Sequence, residues 1–136
     1  MTLILCVDDM LGMLFNNRRQ SKDKALRQNM LELTRDSKLW MNAYSASQFD
    51  EIADNICVHE AFLEKADPED FCFVENADIA QYAHRVSSVI LYRWNRIYPS
   101  DKQFPAELFK NRWYLENRTD FPGTSHETIT REVYVL

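Results

Sequence analysis

The chain has 136 residues, of which 46% are hydrophobic and 27% are charged. The hydrophobic fraction is enough for one packed core, and this composition argues against disorder. The formal net charge of −5 argues against general nucleic-acid binding, which depends on a basic surface. Only two glycines occur, so a phosphate-binding loop built from several glycines is excluded.

The sequence also shows no sign of export or of a metal site. No apolar run approaches the roughly 20 residues of a membrane-spanning helix, and the N-terminus lacks the basic start of a signal peptide. The three cysteines, Cys6, Cys57 and Cys72, are far apart and lack metal-binding spacing. We therefore expect a cytoplasmic protein with reduced thiols, no metal, no cofactor and no membrane partner.

The first elements alternate between strand and helix. Residues 2–8 form a continuous apolar run typical of a buried central strand. Residues 10–21 show no periodicity and are predicted to form an ordered loop. Ser21 is a suitable N-cap for a helix over 22–34, in which apolar residues recur at helical spacing.

The middle of the chain continues this alternation. A short strand is predicted over 38–42, and Ser45 with Gln48 forms a capping-box pattern for a helix over 46–54. The further predicted elements are a strand over 56–58, a helical turn over 60–66, a strand over 70–75, a short helix over 77–85 and a strand over 87–94.

The end of the chain has the pattern of an antiparallel hairpin. Residues 95–111 are predicted to be irregular. Strands over 112–119 and 128–135 flank a Pro122-Gly123 pair that favours a type II turn. Because no internal repeat or linker interrupts the chain, we expect a single domain over 1–136 with a mixed α/β sheet.

Three groups of residues carry a family resemblance. They are Val7-Asp8-Asp9-Met10-Leu11-Gly12-Met13, then Trp40-Met41-Asn42 with Ser45 and Phe49-Asp50-Glu51-Ile52, and then Ser88-Val89-Ile90-Leu91-Tyr92 with Asp101-Lys102-Gln103-Phe104-Pro105 and Trp113. In this order they resemble segments of dihydrofolate reductases. The resemblance implies a mainly parallel, mixed central sheet with flanking helices and a C-terminal antiparallel hairpin.

The chain departs from that family where the family binds NADPH. The family's Gly-Gly turn would fall near Glu75-Asn76, and a carboxylate there would repel a pyrophosphate. Where the family has a basic residue after the second strand, this chain has Ala43 or Tyr44. The segment between residues 55 and 70 is also shorter than the part of the family's fold that binds adenosine. We therefore expect that the chain lacks the NADPH site and is not an NADPH-dependent reductase.

On the substrate side, the resemblance places the family's carboxylate at about Asp23 and its supporting hydroxyl at about Tyr92. A carboxylate in the first turn of a helix could act as a general acid or base. The alternative is that Asp23 only stabilises the helix N-terminus through the helix dipole.

Arginines are the strongest indication of a ligand. Arginine binds carboxylate or phosphate through paired hydrogen bonds, and Trp94 or Tyr98 could stack on a ring. We expect a small anionic or heterocyclic ligand, nucleotide- or pterin-like, in the central cleft. The alternative is a solvated surface of ion pairs. The candidate ligand-binding residues are Asn17, Arg18, Arg19, Gln20, Tyr92, Arg93, Trp94 and Arg96.

A second resemblance concerns the stretches 17–21, 92–96 and 121–127, which are similar to short bacterial proteins labelled "ribonuclease Z". Enzymes of that name have a metallo-β-lactamase fold and a His-x-His-x-Asp-His zinc motif. This sequence has no such motif, so it does not support a zinc-dependent nuclease.

The sequence leaves two alternative functions open, and it does not decide whether the protein is an enzyme. A phosphodiester hydrolase would use His126 as a proton shuttle with Glu127 beside it. A non-catalytic interaction protein, such as a homodimer, would use Trp94, Tyr98 and Phe104 as an exposed aromatic surface.

Overall fold

The structure, a computed structural model, describes residues 1–109 and 112–136. Over these residues its strands are β1 (Thr2–Val7), β2 (Gly12–Phe15), β3 (Arg18–Arg19), β4 (Leu39–Met41), β5 (Ile56–Val58), β6 (Phe71–Phe73), β7 (Ser88–Arg93), β8 (Lys102–Gln103), β9 (Tyr114–Phe121) and β10 (Ile129–Val135). Its helices are α1 (Lys24–Thr34), α2 (Ala43–Ala46) and α3 (Phe62–Lys65), with 3₁₀ turns at Ala80–Arg85 and Ala106–Phe109.

The main sheet has the strand order β5-β4-β6-β1-β7-β10-β9. Strand β1 lies at its centre and pairs in parallel with β6 and β7, while β4 pairs in parallel with β5 and β6. Strand β10 runs antiparallel to both β7 and β9. The predicted mixed, mainly parallel sheet with a closing antiparallel hairpin is therefore confirmed.

Both faces of the sheet are covered by apolar side chains. Along β7, Val89 and Leu91 belong to one core cluster, and Ile90 and Tyr92 belong to the other, as the two-residue strand period requires. Helix α1 packs on the second face through residues one helical turn apart, which are Leu26 and Met30. We call this the helix face of the sheet.

The segment 10–21 is a β-hairpin, so the predicted loop is wrong. Strand β2 pairs antiparallel with β3 and also with β8, forming a separate three-stranded sheet. The turn residues Asn16 and Asn17 have φ of 53° and 60°. Two successive positive φ angles are typical of a type I′ hairpin turn, and asparagine tolerates this conformation.

Two helix starts differ from their predictions. Helix α1 is capped by Asp23, not Ser21, because the Asp23 side chain accepts the backbone N–H groups of Ala25 and Leu26. The capping box at Ser45 and the helix predicted over 46–54 are also wrong, since the helix here is α2 over Ala43–Ala46, which contains the buried Ser45 and has Asn42 as its N-cap.

The C-terminal region follows the prediction except at its turns. Gly123 does not have a positive φ, so the predicted type II turn at Pro122-Gly123 is wrong. Within the segment 95–111, which was predicted to be irregular, β8 and one 3₁₀ turn form, and positions 110 and 111 lie outside the described residues. The predicted strands at 2–8, 38–42, 56–58, 70–75, 87–94, 112–119 and 128–135 are all present, within a few residues at their ends.

Candidate functional site

The carboxyl ends of β1, β6 and β7 meet at one edge of the sheet, under the β2–β3 hairpin. In open sheets of this kind, ligands bind in the crevice outside the strand ends. Here that space, which we call the strand-end crevice, has a volume of about 10 Å³. This is room for about one water molecule. The residues that line it are Cys6, Met13, Arg19, Gln20, Ser21, Val74, Glu75 and Trp94.

An ion pair fills part of the strand-end crevice. The Nε and Nη2 atoms of Arg19 donate to the two carboxylate oxygens of Glu75 at 2.9 and 3.1 Å. Nη2 also donates to the Tyr44 carbonyl at 2.9 Å, and the guanidinium lies 4.1 Å from the centre of the Tyr44 ring. The side chains of Arg19 and Glu75 are only 19% and 7% exposed. Arg19 is therefore engaged inside the protein, as the ion-pair alternative predicts.

Asp8 fixes the loops around the crevice. Its Oδ1 accepts the backbone N–H groups of Met10 and Gly12, and its Oδ2 accepts the Gln20 amide and the Tyr98 backbone N–H. Burial raises the pKa of Asp8, but hydrogen bonds led by that from Tyr98 outweigh it, and the pKa is lowered. The sequence indicated only a turn at Asp8, and nothing local in it signals these distant partners.

Gln20 has an oriented amide with one free acceptor. A carboxylate only accepts hydrogen bonds, so the bond to Asp8 identifies the Gln20 nitrogen and fixes the orientation of the amide. The Gln20 Oε1 atom is buried and has no hydrogen-bond partner among the described residues. A buried acceptor without a hydrogen-bond donor lowers the stability of the folded protein unless another donor reaches it.

Asp23, His126 and Tyr98 form a hydrogen-bonded chain. The His126 Nδ1 atom lies 3.0 Å from Asp23 Oδ2, and its Nε2 atom lies 2.7 Å from the Tyr98 hydroxyl. The side chains of Asp23 and His126 are 0% and 2% exposed. The chain links the start of α1, the segment between β9 and β10, and the segment after β7.

The Asp23 carboxylate is saturated with donors. It accepts five hydrogen bonds, from the backbone N–H groups of Ala25, Leu26, Thr124 and Ser125 and from His126. Burial raises the pKa of Asp23, but these bonds, led by that from Thr124, lower it to about 2. Asp23 is therefore ionised at neutral pH, and both of its oxygens are already engaged.

Aromatic rings hold the histidine in place. The Trp94 and His126 rings are stacked with centroids 4.5 Å apart, and the Tyr98 ring meets His126 edge-on. The guanidinium of Arg96 lies 5.2 Å from the centre of the Tyr98 ring. Glu127 is exposed, and it lines an outer groove of about 360 Å³ together with Arg96 and His126.

Tyr92 and Arg93 lie away from Asp23. The Tyr92 hydroxyl donates to Asn29 Oδ1 at 2.7 Å on the helix face, and burial raises the pKa of Tyr92. Arg93 points to the opposite face of the sheet, where it pairs with Glu132. Of the predicted ligand-binding residues, these two are therefore separated from the rest.

The largest open space near the crevice lies on the outer side of the β2–β3 hairpin. We call it the hairpin groove; its volume is about 650 Å³. It is lined by Phe15, Asn16, Arg18, Arg19, Gln20, Tyr98 and Pro99. The structure thus brings Arg18, Arg19 and Gln20 together with Tyr98, while Asn17 is exposed at the turn of the hairpin.

Arg18 is the cation that the hairpin groove presents to solvent. Its side chain is exposed, and no carboxylate of the described residues forms an ion pair with it. Phe15 is 44% exposed on the same groove. The groove therefore combines a free guanidinium with aromatic surface.

The aromatic interaction surface expected from the sequence is wrong for two of its three residues. Trp94 and Phe104 are each 3% exposed, because Trp94 packs on His126 and Phe104 packs against Phe109. Only Tyr98 is half-buried.

Among the described residues, no three histidine, cysteine or acidic side chains lie close enough to one another to hold a metal ion. No helix of residues 1–109 and 112–136 has the length and apolar character needed to cross a membrane.

Comparison with known proteins identifies the fold. No protein-family model matches the chain, and no curated protein sequence matches it. The solved structures that match include dihydrofolate reductase from Enterococcus faecalis, complexed with NADP(H) and RAB-propyl, with a TM-score of 0.68 and 12% identity over 98% of this chain and 94% of that chain. The chain therefore has a dihydrofolate reductase-like fold, and the family resemblance is confirmed at the level of the fold.

Proposed function

We propose that the protein binds a small anionic, aromatic or heterocyclic ligand, nucleotide- or pterin-like, in the hairpin groove. The observation that carries this proposal is the Arg18 guanidinium, which pairs with no carboxylate of residues 1–109 and 112–136 and lies beside the aromatic surfaces of Phe15 and Tyr98. Arginine binds phosphate or carboxylate through paired hydrogen bonds, and an aromatic side chain stacks on a planar ring. The strand-end crevice, where the sequence places the ligand, is too small for one at about 10 Å³.

The proposal includes the absence of an NADPH site. The Glu75 carboxylate stands at the carboxyl end of β6, where the resemblance places a Gly-Gly turn. Both of its oxygens are bonded to Arg19, so an ion pair occupies the place where that turn would receive a pyrophosphate. We expect no binding in a direct titration with NADPH, and micromolar affinity would contradict this part of the proposal.

The test of ligand binding is calorimetry with adenosine monophosphate, inosine monophosphate, folate and pterin-6-carboxylate. We expect at least one of these to bind to the wild type, and Arg18→Ala to weaken that binding by about tenfold or more, as expected for loss of a charged hydrogen-bond donor. Arg35→Ala is the matched control, because Arg35 is a 68% exposed arginine at the far end of α1. No binding across the set, or an equal loss in both variants, would refute the proposal.

The contacts favour neither of the two other functions. Both ring nitrogens of His126 are engaged, by Asp23 and by Tyr98, so neither is free to take a proton from a phosphodiester substrate. Burial of Trp94 and Phe104 removes the aromatic surface on which the interaction hypothesis rested.

A further inference from the structure

We infer that the outer edge of strand β9 is an interface at which the protein binds a second copy of itself. The two β9 strands pair antiparallel about Thr119 and join the two main sheets into one. Side chains of opposite charge from the two copies determine the register of the pair. This interface lies on a different surface from the aromatic residues expected from the sequence, and it is independent of the proposed function.

Strand β9 has an open edge. It is the last strand of the main sheet, where it pairs on one side with β10 and on the other side with no strand of residues 1–109 and 112–136. Most of its residues are exposed, including two large apolar ones, Tyr114 at 64% and Leu115 at 45%. An open strand edge presents backbone N–H and C=O groups on which another strand can pair. The edge is therefore a surface to which a further strand can be added.

A β-bulge limits the part of this edge that can pair. The register between β9 and β10 shifts between Leu115 and Asn117, and Pro122 follows the other end of the strand. A bulge disrupts the pairing ladder locally, and proline has no N–H group to donate. The regular part of the edge is therefore residues 117–121, and a partner strand must pair there.

A row of alternating charges crosses the sheet and ends at this edge. On the face opposite the helix face, Arg93 of β7 pairs with Glu132 of β10. Glu132 lies directly opposite Arg118 of β9, whose Nε atom is 3.9 Å from Glu132 Oε2. The Glu132 side chain is 7% exposed, whereas that of Arg118 is 60% exposed. Arg118 therefore ends the row with a positive charge, and a strand that continues the row must place a carboxylate beside it.

Strand β9 itself carries the required carboxylate. Asp120 is exposed and lies two residues from Arg118, so the two side chains are on the same face of the sheet. The Asp120 Oδ1 atom accepts the hydroxyl of Thr130, which orients the carboxylate at the edge. When two β9 strands pair antiparallel about Thr119, Arg118 of each copy lies opposite Asp120 of the other. Opposite charges in directly opposed positions stabilise a strand pair, so the edge is complementary to itself.

The neighbouring registers are less favourable. Pairing centred on Arg118 puts the two arginines opposite each other and Glu116 opposite Asp120, and like charges in these positions destabilise a sheet. Pairing centred on Asn117 places the bulge of each copy in the middle of the contact. Of these three registers, the one about Thr119 combines regular backbone with opposite charges.

The interface is small, and we expect a weak dimer. A strand pair over residues 117–121 lies at the low end of interface sizes, below about 1,200 Å², which is typical of transient complexes. We expect a dissociation constant on the order of 10 μM or above. Sedimentation equilibrium over a range of protein concentrations measures it directly.

Charge reversal tests the register. In the Asp120→Arg homodimer both charged pairs become arginine against arginine, and in the Arg118→Asp homodimer both become carboxylate against carboxylate. We expect each substitution to raise the dissociation constant about 100-fold or more. An equimolar mixture of the two variants restores both pairs of opposite charge, and it should form a heterodimer with an affinity within about tenfold of the wild type. Asp36→Arg is the control, since Asp36 is 95% exposed at the end of α1, and it should dimerise as the wild type does.

The mixture separates loss of the charged pairs from loss of folding, because a variant that fails to fold gains nothing from a partner. A wild type that stays monomeric at millimolar concentration overturns the inference. Dimerisation of both charge variants with wild-type affinity, or a mixture that stays monomeric while the wild type dimerises, overturns it as well. None of these results changes the expected binding of a ligand in the hairpin groove.

Discussion

Replacing Asp23 by asparagine tests the hydrogen bonds that connect the start of α1 to the segment between β9 and β10. The substitution keeps the shape of the side chain and an acceptor for the helix N-terminus, because asparagine is as good an N-cap as aspartate. It removes the negative charge and places an NH₂ group against the Ser125 N–H and the His126 Nδ1–H, which both donate to Oδ2. The loss of folding stability therefore arises in the segment between β9 and β10 and not at the N-cap of α1.

The magnitude follows from the pKa of Asp23, which folding lowers from 3.8 to about 2. This lowering contributes about 2.5 kcal/mol of folding free energy above about pH 5. Because the pKa is depressed in the folded state, the contribution is present above the unfolded-state pKa and is lost as the pH falls toward 2. About half of it should be gone by pH 3.

The assay is urea unfolding followed by tryptophan fluorescence at pH 7 and pH 3. Asp23→Asn should lower the free energy of unfolding by about 2–3 kcal/mol at pH 7, and its difference from the wild type should narrow at pH 3. Asp36→Asn is the control, since Asp36 is 95% exposed just after the same helix. A loss below about 0.5 kcal/mol, or a difference that does not change with pH, would refute this account of Asp23.

Two other substitutions probe the same region. Gly123→Ala would bring a Cβ atom to 2.6 Å from the His126 carbonyl oxygen and 2.8 Å from Asp23 Oδ2. We therefore expect the free energy of unfolding, measured by heat or urea, to fall by about 1–3 kcal/mol. Unchanged stability would show that the loop moves to accommodate the Cβ atom without loss of stability. Arg19→Ala leaves the Glu75 charge buried and unpaired, and should cost about 3 kcal/mol. The double variant Arg19→Met/Glu75→Leu should recover most of that loss, and a double variant as unstable as the single would contradict the argument.

The strands could be predicted from the sequence because burial on both faces leaves a local pattern. The apolar run at residues 2–8 and the run at 87–94 became β1 and β7, the central parallel pair. The β2–β3 hairpin was not predicted, because its strands are short and its turn depends on positive φ angles at Asn16 and Asn17. Two adjacent asparagines were the only available signal.

The candidate site could be predicted only in part. Arg18, Arg19 and Gln20 were identified from residue type, and they do lie together on the hairpin groove. The partners that decide their roles are distant in sequence: Glu75 is 56 residues from Arg19, and His126 is 103 residues from Asp23. Residue type indicates that an arginine can bind an anion, but only the fold determines which anion it meets.

The filled crevice has a consequence for ligand binding at the hairpin. Arg19 belongs to β3, and its bonds to Glu75 and to the Tyr44 carbonyl tie the hairpin to the ends of the parallel strands. Asp8 ties Gln20 to the same edge. Because the two residues that follow it are anchored, the backbone of Arg18 has a rigid support on that side, and less conformational entropy would be lost on binding of the proposed anionic ligand. The ion pair that closes the crevice therefore also preorganises the groove outside it.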